Sequence, residues 1–384
     1  MENCMRNDLI LEDTTLRDGE QTPGISFNKK TKIAIYKALV KTGVKWMEAG
    51  IPAMGGEELE AIKEIKHLSE EDGVNVIAWN RGIREDVEFS ISLGFKAIHI
   101  GLPTSNVHLK DSIKKDRGWL LTQASELIKF AKDKGVFVSI SAEDVGRTEI
   151  SFLQEYARIV QEAGADRLRL SDTIGILSPK KYSEIISAIK SAASIDLQSH
   201  AHNDFGLAVA NTLSAIESGV KYFHVTVNGI GERAGMPDFG QVVMSLKNFY
   251  GVDLKLQLDE LTSLSELVSK FYKVPLYPWH PIVGKNVFSH ESGIHVNGTI
   301  GNTSTFEPFS PEIVGGKRRI IIGKHSGKNA IKHVLEKNGV IVNEKILSEC
   351  LIAVREKSIS LERNLSLQEL KNIYDEQYEK ISVI

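Results

Sequence analysis

Eight short apolar, β-branched runs alternate with amphipathic helical stretches through the first two-thirds of the chain. The runs fall at 8–13, 44–50, 75–79, 97–102, 136–141, 167–172, 196–202 and 222–228. Helical periodicity covers 30–42, 57–68, 120–134, 152–163, 181–192 and 207–218. Gly43, Gly73, Gly94, Gly135, Gly164 and Gly219 stand where a helical stretch gives way to the next run. Glycine there supplies the left-handed residue that ends a helix and turns the chain back into a parallel strand. Eight such units with right-handed crossovers predict an α/β fold, a (β/α)8 or TIM barrel over residues 1–255 that closes near Phe249. An open doubly wound sheet is the alternative. It usually carries a glycine-rich phosphate loop after its first strand, and LRDGEQTPG is not one.

The rhythm breaks after Asp253. A helix is expected at 256–272, then VPLYPWHPIVGKN, with three of the ten prolines, reads as an extended arm. The sequence thus divides into a barrel at 1–255, a helix plus arm or lid at 256–325, and a small helical subdomain at 326–384. The arm is too polar and irregular to be core, so it is expected to contact a second subunit in a homodimer.

Charge and cysteine usage exclude several classes. Lys and Arg number 47 against 50 Asp and Glu, for a net −3, which leaves no global footprint for nucleic acid or an anionic membrane. Cys4 and Cys350 make neither a disulfide framework nor a thiolate cluster, so a reducing, cytoplasmic setting is expected. No secretory pattern opens the chain, and no apolar run is long enough to span a bilayer.

A barrel places its active site at the carboxyl ends of its strands, so polar residues there carry weight. Arg17 and Asp18 follow the first run and precede a glycine turn; a surface ion pair is the plainer reading of an isolated Arg-Asp. His200 and His202 lie one pleat apart at the end of the seventh run and face the same way. Two imidazoles so placed can share a divalent ion, with Asp18 as a natural third ligand and open positions left over. Two buried structural histidines are the alternative. The loop Asn228–Gly235, NGIGERAG, is either an anion-binding loop or a sharp turn that closes the barrel; the turn explains its glycines but not its Glu-Arg pair.

DTTLRDGEQ, SAED, SDTIG, HAHNDFGLA, NGIGERAG, ESGIHVNG and GKHSG stand in an order and spacing that resembles the isopropylmalate synthase and homocitrate synthase family. The resemblance covers about residues 8–380. Asp116-Arg117-Gly118-Trp119 and Ala78-Trp79-Asn80-Arg81 bring it nearest to homocitrate synthases of the nitrogen-fixation type. It implies an acyltransferase of amino-acid or nitrogenase-cofactor biosynthesis that condenses acetyl-CoA with a 2-oxo acid, here 2-oxoglutarate, and then hydrolyses the thioester. It also implies a divalent metal (Mg, Mn or Zn) on Asp18, His200 and His202, with Arg17 polarising the oxo carbonyl and Gln21 beside it. Thr173 would hold the 1-carboxylate, with Ser141 close by. Glu143 and His295 would form an acid–base pair, His295 reaching in from a partner subunit.

Where much of the family has Asn after GERAG this chain has Met236, and Phe306 replaces a common Tyr. The His and Arg that hold a distal carboxylate in lysine-pathway homocitrate synthases correspond to Ile83 and Ser139. Arg169, inward by pleat parity, is expected to receive the substrate's second carboxylate instead; an internal ion pair with Asp166 or Glu48 is the alternative. Other 2-oxo acids, giving isopropylmalate, citramalate or citrate, remain open, as does a non-catalytic metabolite-binding role. A lyase running the reverse cleavage fits less well, since neither cysteine is placed for it.

Overall fold

The structure is a computed structural model and describes residues 8–382; Cys4 lies outside them. The chain forms two compact units, the first running to Leu276 and the second starting at Tyr277.

The first unit is the expected closed parallel barrel. Its strands are β1 (Ile10–Asp13), β2 (Trp46–Gly50), β3 (Asn75–Arg81), β4 (Ala97–Gly101), β5 (Phe137–Glu143), β6 (Arg167–Asp172), β7 (Asp196–Ala201) and β8 (Tyr222–Val225). Closure pairs β1 with β8, Ile10 opposite Tyr222 and Asp13 opposite Val225. Around it lie α1 (Lys29–Thr42), α2 (Gly56–Asp72), α3 (Arg84–Ser92), α4 (Arg117–Asp133), α5 (Ile150–Glu162), α6 (Pro179–Ala192), α7 (Ala208–Glu217) and α8 (Phe239–Tyr250). Gly43 ends α1 at φ 97°, the left-handed value its position requires, and the other five helix-ending glycines also have positive φ.

Leucines, isoleucines and valines fill the space between strands and helices, among them Leu39, Ile62 and Ile98. The inside of the barrel differs. At its amino end Trp46, Phe137 and Tyr222, each the first residue of a strand, form an aromatic plug, with Trp46 and Phe137 centroids 5.3 Å apart. Above the plug comes a charged layer of Glu12, Glu48, Arg167 and Arg169, all buried.

The domain boundaries differ from expectation in two respects. The helix expected with the arm is α9 (Leu261–Tyr272). It buries Leu261, Leu264 and Val268 and packs on α1, so it belongs to the barrel unit. The second unit holds a parallel pair, β9 (Ser289–His290) and β10 (Arg319–Ile320), with α10 (Gly293–Gly301), α11 (Lys328–Lys337), α12 (Leu347–Leu361) and α13 (Leu367–Ser382). Val296 and Ile322 share one core with Ile331, Leu335, Cys350 and Val354, so no separate subdomain begins at 326. Among the described residues no helix is long and apolar enough to cross a membrane.

Candidate active site

A cavity of about 270 Å³ opens at the carboxyl ends of the strands. Every site residue predicted in the barrel lines it: Arg17, Asp18, Gln21, Ser141, Glu143, Arg169, Thr173, His200 and His202. The loop after β1 supplies Arg17 and Asp18, and β7 delivers His200 with His202 just beyond its end.

Asp18, His200 and His202 are buried, and each brings a ligand-type atom within 4.8 Å of the others. Oδ1 of Asp18 and Nδ1 of His202 are buried without a hydrogen-bond partner. His200 Nε2 lies 3.6 Å from Asp18 Oδ2, too far for a hydrogen bond. Buried polar atoms left unpaired are costly. One carboxylate and two imidazoles on one face, with orphaned lone pairs, fit a divalent cation. Burial, then the neighbouring His224 and His202, holds His200 well below the usual imidazole range, in the neutral form a ligand needs. A second cluster, Glu12, Glu48 and His224, also gathers ligand-type atoms. Its carboxylates are already engaged by arginines, so it does not fit a cation.

Arg17 donates from Nε to Glu48 Oε2 at 2.6 Å and from Nη1 to Asp18 Oδ2 at 3.0 Å. It reaches Gln21 Oε1 at 3.3 Å, as expected, and lies 5.7 Å from the centre of the Trp79 ring. Glu143 ends β5 beside Ser141, whose hydroxyl donates to it at 3.3 Å. Burial raises its carboxyl above the usual value, and Ser141 and Arg17 only partly offset this. Gly101 makes room for that carboxylate: a Cβ there would sit 2.5 Å from the Trp79 ring and 2.9 Å from Glu143 Oε1. Thr173 Oγ1 accepts from Asp144 N at 2.9 Å.

One expectation is corrected, and one open alternative is described. Arg169 is not an unpaired cation awaiting substrate. Its Nη2 donates to Glu48 Oε1 at 2.6 Å and its Nε to Gln198 Oε1 at 2.8 Å, so the internal ion pair holds. Asp166 plays no part in it and is engaged by Lys132. The loop after β8 makes the sharp turn, and its arginine is engaged within the protein. Arg233 binds Asp204 at 2.8 and 2.9 Å and the Thr173 carbonyl at 2.8 Å, tying three loops together. Gly229 and Gly235, at φ 66° and 96°, make the turn. Met236 is buried against Gly231, whose other close neighbour is Asp18 Oδ1.

His295 lies on α10 in the second unit, exposed, its ring stacked on Phe306 with centroids 4.1 Å apart.

Sequence reasoning missed Glu12, His99, Arg167 and His224, which complete the buried network. Arg167 binds Glu12 through two donors at 2.6 and 2.9 Å, and His224 Nε2 lies 2.7 Å from Glu12 Oε1. Burial alone would raise Glu12, but Arg167 and His224 outweigh it and hold the carboxyl down to about 2. His99, on β4, contacts Ser139 Oγ at 2.8 Å through Nδ1, while its Nε2 is buried without a partner at the cavity. Charged residues at inward parity within apolar strands were the available signal.

Fold and site together define a (β/α)8-barrel protein with a polar pocket at the strand ends that is built to take a divalent cation. Residues 8–268 match the HMGL-like family and 282–374 the homocitrate synthase post-HMGL domain-like family. The chain belongs to the HMGL-like family, and its relatives there include acetyl-CoA-dependent condensing synthases. It is 57% identical over 371 residues to a 2-phosphonomethylmalate synthase of Streptomyces rubellomurinus, covering 97% of this chain and 99% of that one. It is 44% identical to 2-isopropylmalate synthase 2 of Caldanaerobacter subterraneus subsp. tengcongensis (96% and 95% covered). Homocitrate synthase 1 of Nostoc sp. is 41% identical (97% and 98% covered). The HMG-CoA lyase of Bacillus subtilis superposes with a TM-score of 0.62 at 18% identity, covering 71% of this chain and 96% of that one, a likeness of fold.

Proposed function

We propose that the protein condenses acetyl-CoA with a 2-oxo acid bearing a second anionic group, first 3-phosphonopyruvate. Removing the two-carbon acetyl unit from 2-phosphonomethylmalate leaves that oxo acid. The observation that carries the choice is the 57% identity to a 2-phosphonomethylmalate synthase across nearly the whole of both chains. The pocket supports it. Arg17, Arg167 and Arg169 face Glu12, Glu48, Asp18 and Glu143, so a bound divalent cation would leave a positive excess that an anionic substrate offsets.

His99 is the proposed contact for the distal group. Ser139 Oγ accepts from Arg167 Nε at 2.9 Å, and its own hydrogen is assigned in this reading to His99 Nδ1, 2.8 Å away. That leaves His99, one of the residues around the pocket, with a buried Nε2–H that has no protein partner. Asp18, His200 and His202 would hold the cation, which supplies Lewis acidity to the oxo carbonyl. Arg17 donates to the oxygen that becomes the alkoxide, and Thr173 and Gln21 orient the 1-carboxylate end. Glu143, its affinity for protons raised by burial, takes one from the acetyl methyl group; His295 is its proposed acid–base partner in a homodimer.

2-Oxoglutarate, giving homocitrate, is the second reading, favoured by the 41% identity to the Nostoc enzyme. The test is release of free thiol from acetyl-CoA by the metal-stripped chain resupplied with Mg, Mn or Zn. The panel is 3-phosphonopyruvate, 2-oxoglutarate, 2-oxoisovalerate, pyruvate and oxaloacetate. The highest kcat/KM is expected for 3-phosphonopyruvate; a preference for a monocarboxylate overturns the proposal.

A further inference from the structure

His200 touches a second imidazole behind it. Its Nδ1 lies 2.7 Å from His224 Nδ1, and both rings are buried. Two nitrogens at that distance need one hydrogen between them, so one ring donates and the other accepts. The chain of contacts decides which. Glu12 is gripped by both Arg167 donors and acts as an acceptor, so His224 presents Nε2–H to it at 2.7 Å. A neutral His224 with its hydrogen on Nε2 has only a lone pair at Nδ1. His200 must then carry its hydrogen on Nδ1, which leaves the Nε2 lone pair aimed toward Asp18.

We propose that His224 is a positioning residue: through Glu12 and Arg167 it fixes His200 in the one tautomer whose Nε2 can bind a cation. This rests on the reading of Asp18, His200 and His202 as the cation site. The opposite tautomer would place a hydrogen on Nε2, and the ring would then donate to Asp18 rather than bind an ion. His224 itself touches no substrate-facing surface: it is fully buried and lies outside the cavity lining. Outer partners of this kind change metal affinity by about 10- to 100-fold when removed.

The experiment measures binding of Zn²⁺ and Mn²⁺ to the metal-stripped full chain by chelator competition. It compares the wild type with His224→Phe and His224→Asn, after thermal melting of each apo-protein. Phenylalanine keeps the ring and removes the acceptor; asparagine places an amide oxygen near the Nδ1 position. Phenylalanine is expected to weaken the metal 10- to 100-fold and asparagine to stay within about threefold of the wild type. Equal affinity in wild type and His224→Phe, or equal losses in both variants, overturns the inference and leaves the cation site standing. Absence of binding by the wild type overturns the site reading itself. If His224→Phe does not melt cooperatively, His224→Asn decides: a loss beyond tenfold in a folded Asn variant overturns the inference.

Discussion

Arg169 Nη2 lies 2.6 Å from Glu48 Oε1, inside the barrel and away from water. The same carboxylate receives Arg17 through its other oxygen at 2.6 Å. Burial alone would raise Glu48, but Arg169 and Arg17 hold it well below the usual carboxylate range. The glutamate therefore joins two arginines of the cavity lining, Arg169 and the Arg17 that also contacts Asp18.

Breaking this pair exposes its role. Arg169→Leu leaves Glu48 with Arg17 and the Thr14 hydroxyl on one oxygen and nothing on the other in a low-dielectric interior, and such losses cost about 3–5 kcal/mol. Chemical denaturation is expected to register that loss. KM should rise alike for mono- and dianionic 2-oxo acids; a rise confined to the dianionic ones would restore Arg169 as a substrate anchor.

His99 is predicted to act on selectivity. Its Nε2 has no protein partner, and a hydrogen bond to a charged group contributes about 1.5–3 kcal/mol. His99→Leu is expected to lower kcat/KM for 3-phosphonopyruvate by about 10- to 100-fold, and that for pyruvate much less. Steady-state kinetics on the two acids separates the outcomes.

Asp13 supplies a pH signature of stability. Burial lifts its carboxyl from 3.8 to about 7, against the pull of hydrogen bonds from Thr15. The folded state keeps a proton that the unfolded chain releases, so the protonated group favours folding at low pH. That contribution is lost as pH rises through the window from about 4 to 7. Asp13→Asn should flatten the denaturation-midpoint profile between about pH 4 and 7; an unchanged slope would assign the effect elsewhere.

Glu143 and His295 are tested together by mixing. Glu143→Gln and His295→Ala are each expected to be nearly inactive. If each site draws one residue from either chain of a dimer, co-refolded mixtures should regain up to about a quarter of wild-type turnover, the statistical share of complete sites. Mixtures as inactive as their components would put both residues in one chain's site or remove His295 from the reaction.

The barrel was legible because its periodicity and helix-ending glycines are local signals, and the turns at Gly43 and Gly164 depend on little beyond their neighbours. Asp18, His200 and His202 were legible because strand parity alone puts the histidines on one face. Arg169 illustrates the limit. Parity gave its direction correctly, but its partner stands 121 residues away on β2, and partner choice inside a closed sheet depends on register. The same holds for His224 and Glu12, 212 residues apart. The helix at 261–272 was placed with the arm because its amphipathic pattern does not say which surface it covers.

The charged layer also bears on how the barrel assembles. Glu12 and Glu48 come from β1 and β2, while Arg167, Arg169 and His224 come from β6 and β8. Arg17 serves Glu48 within the first half, but Glu12 finds its arginine only on β6, so β1–β4 and β5–β8 should not fold as independent pieces. Supplied as two separate polypeptides, they would gain structure only on meeting, the acidic half serving as template for the basic one. Closure of this barrel is thus an all-or-none event written into its interior charges.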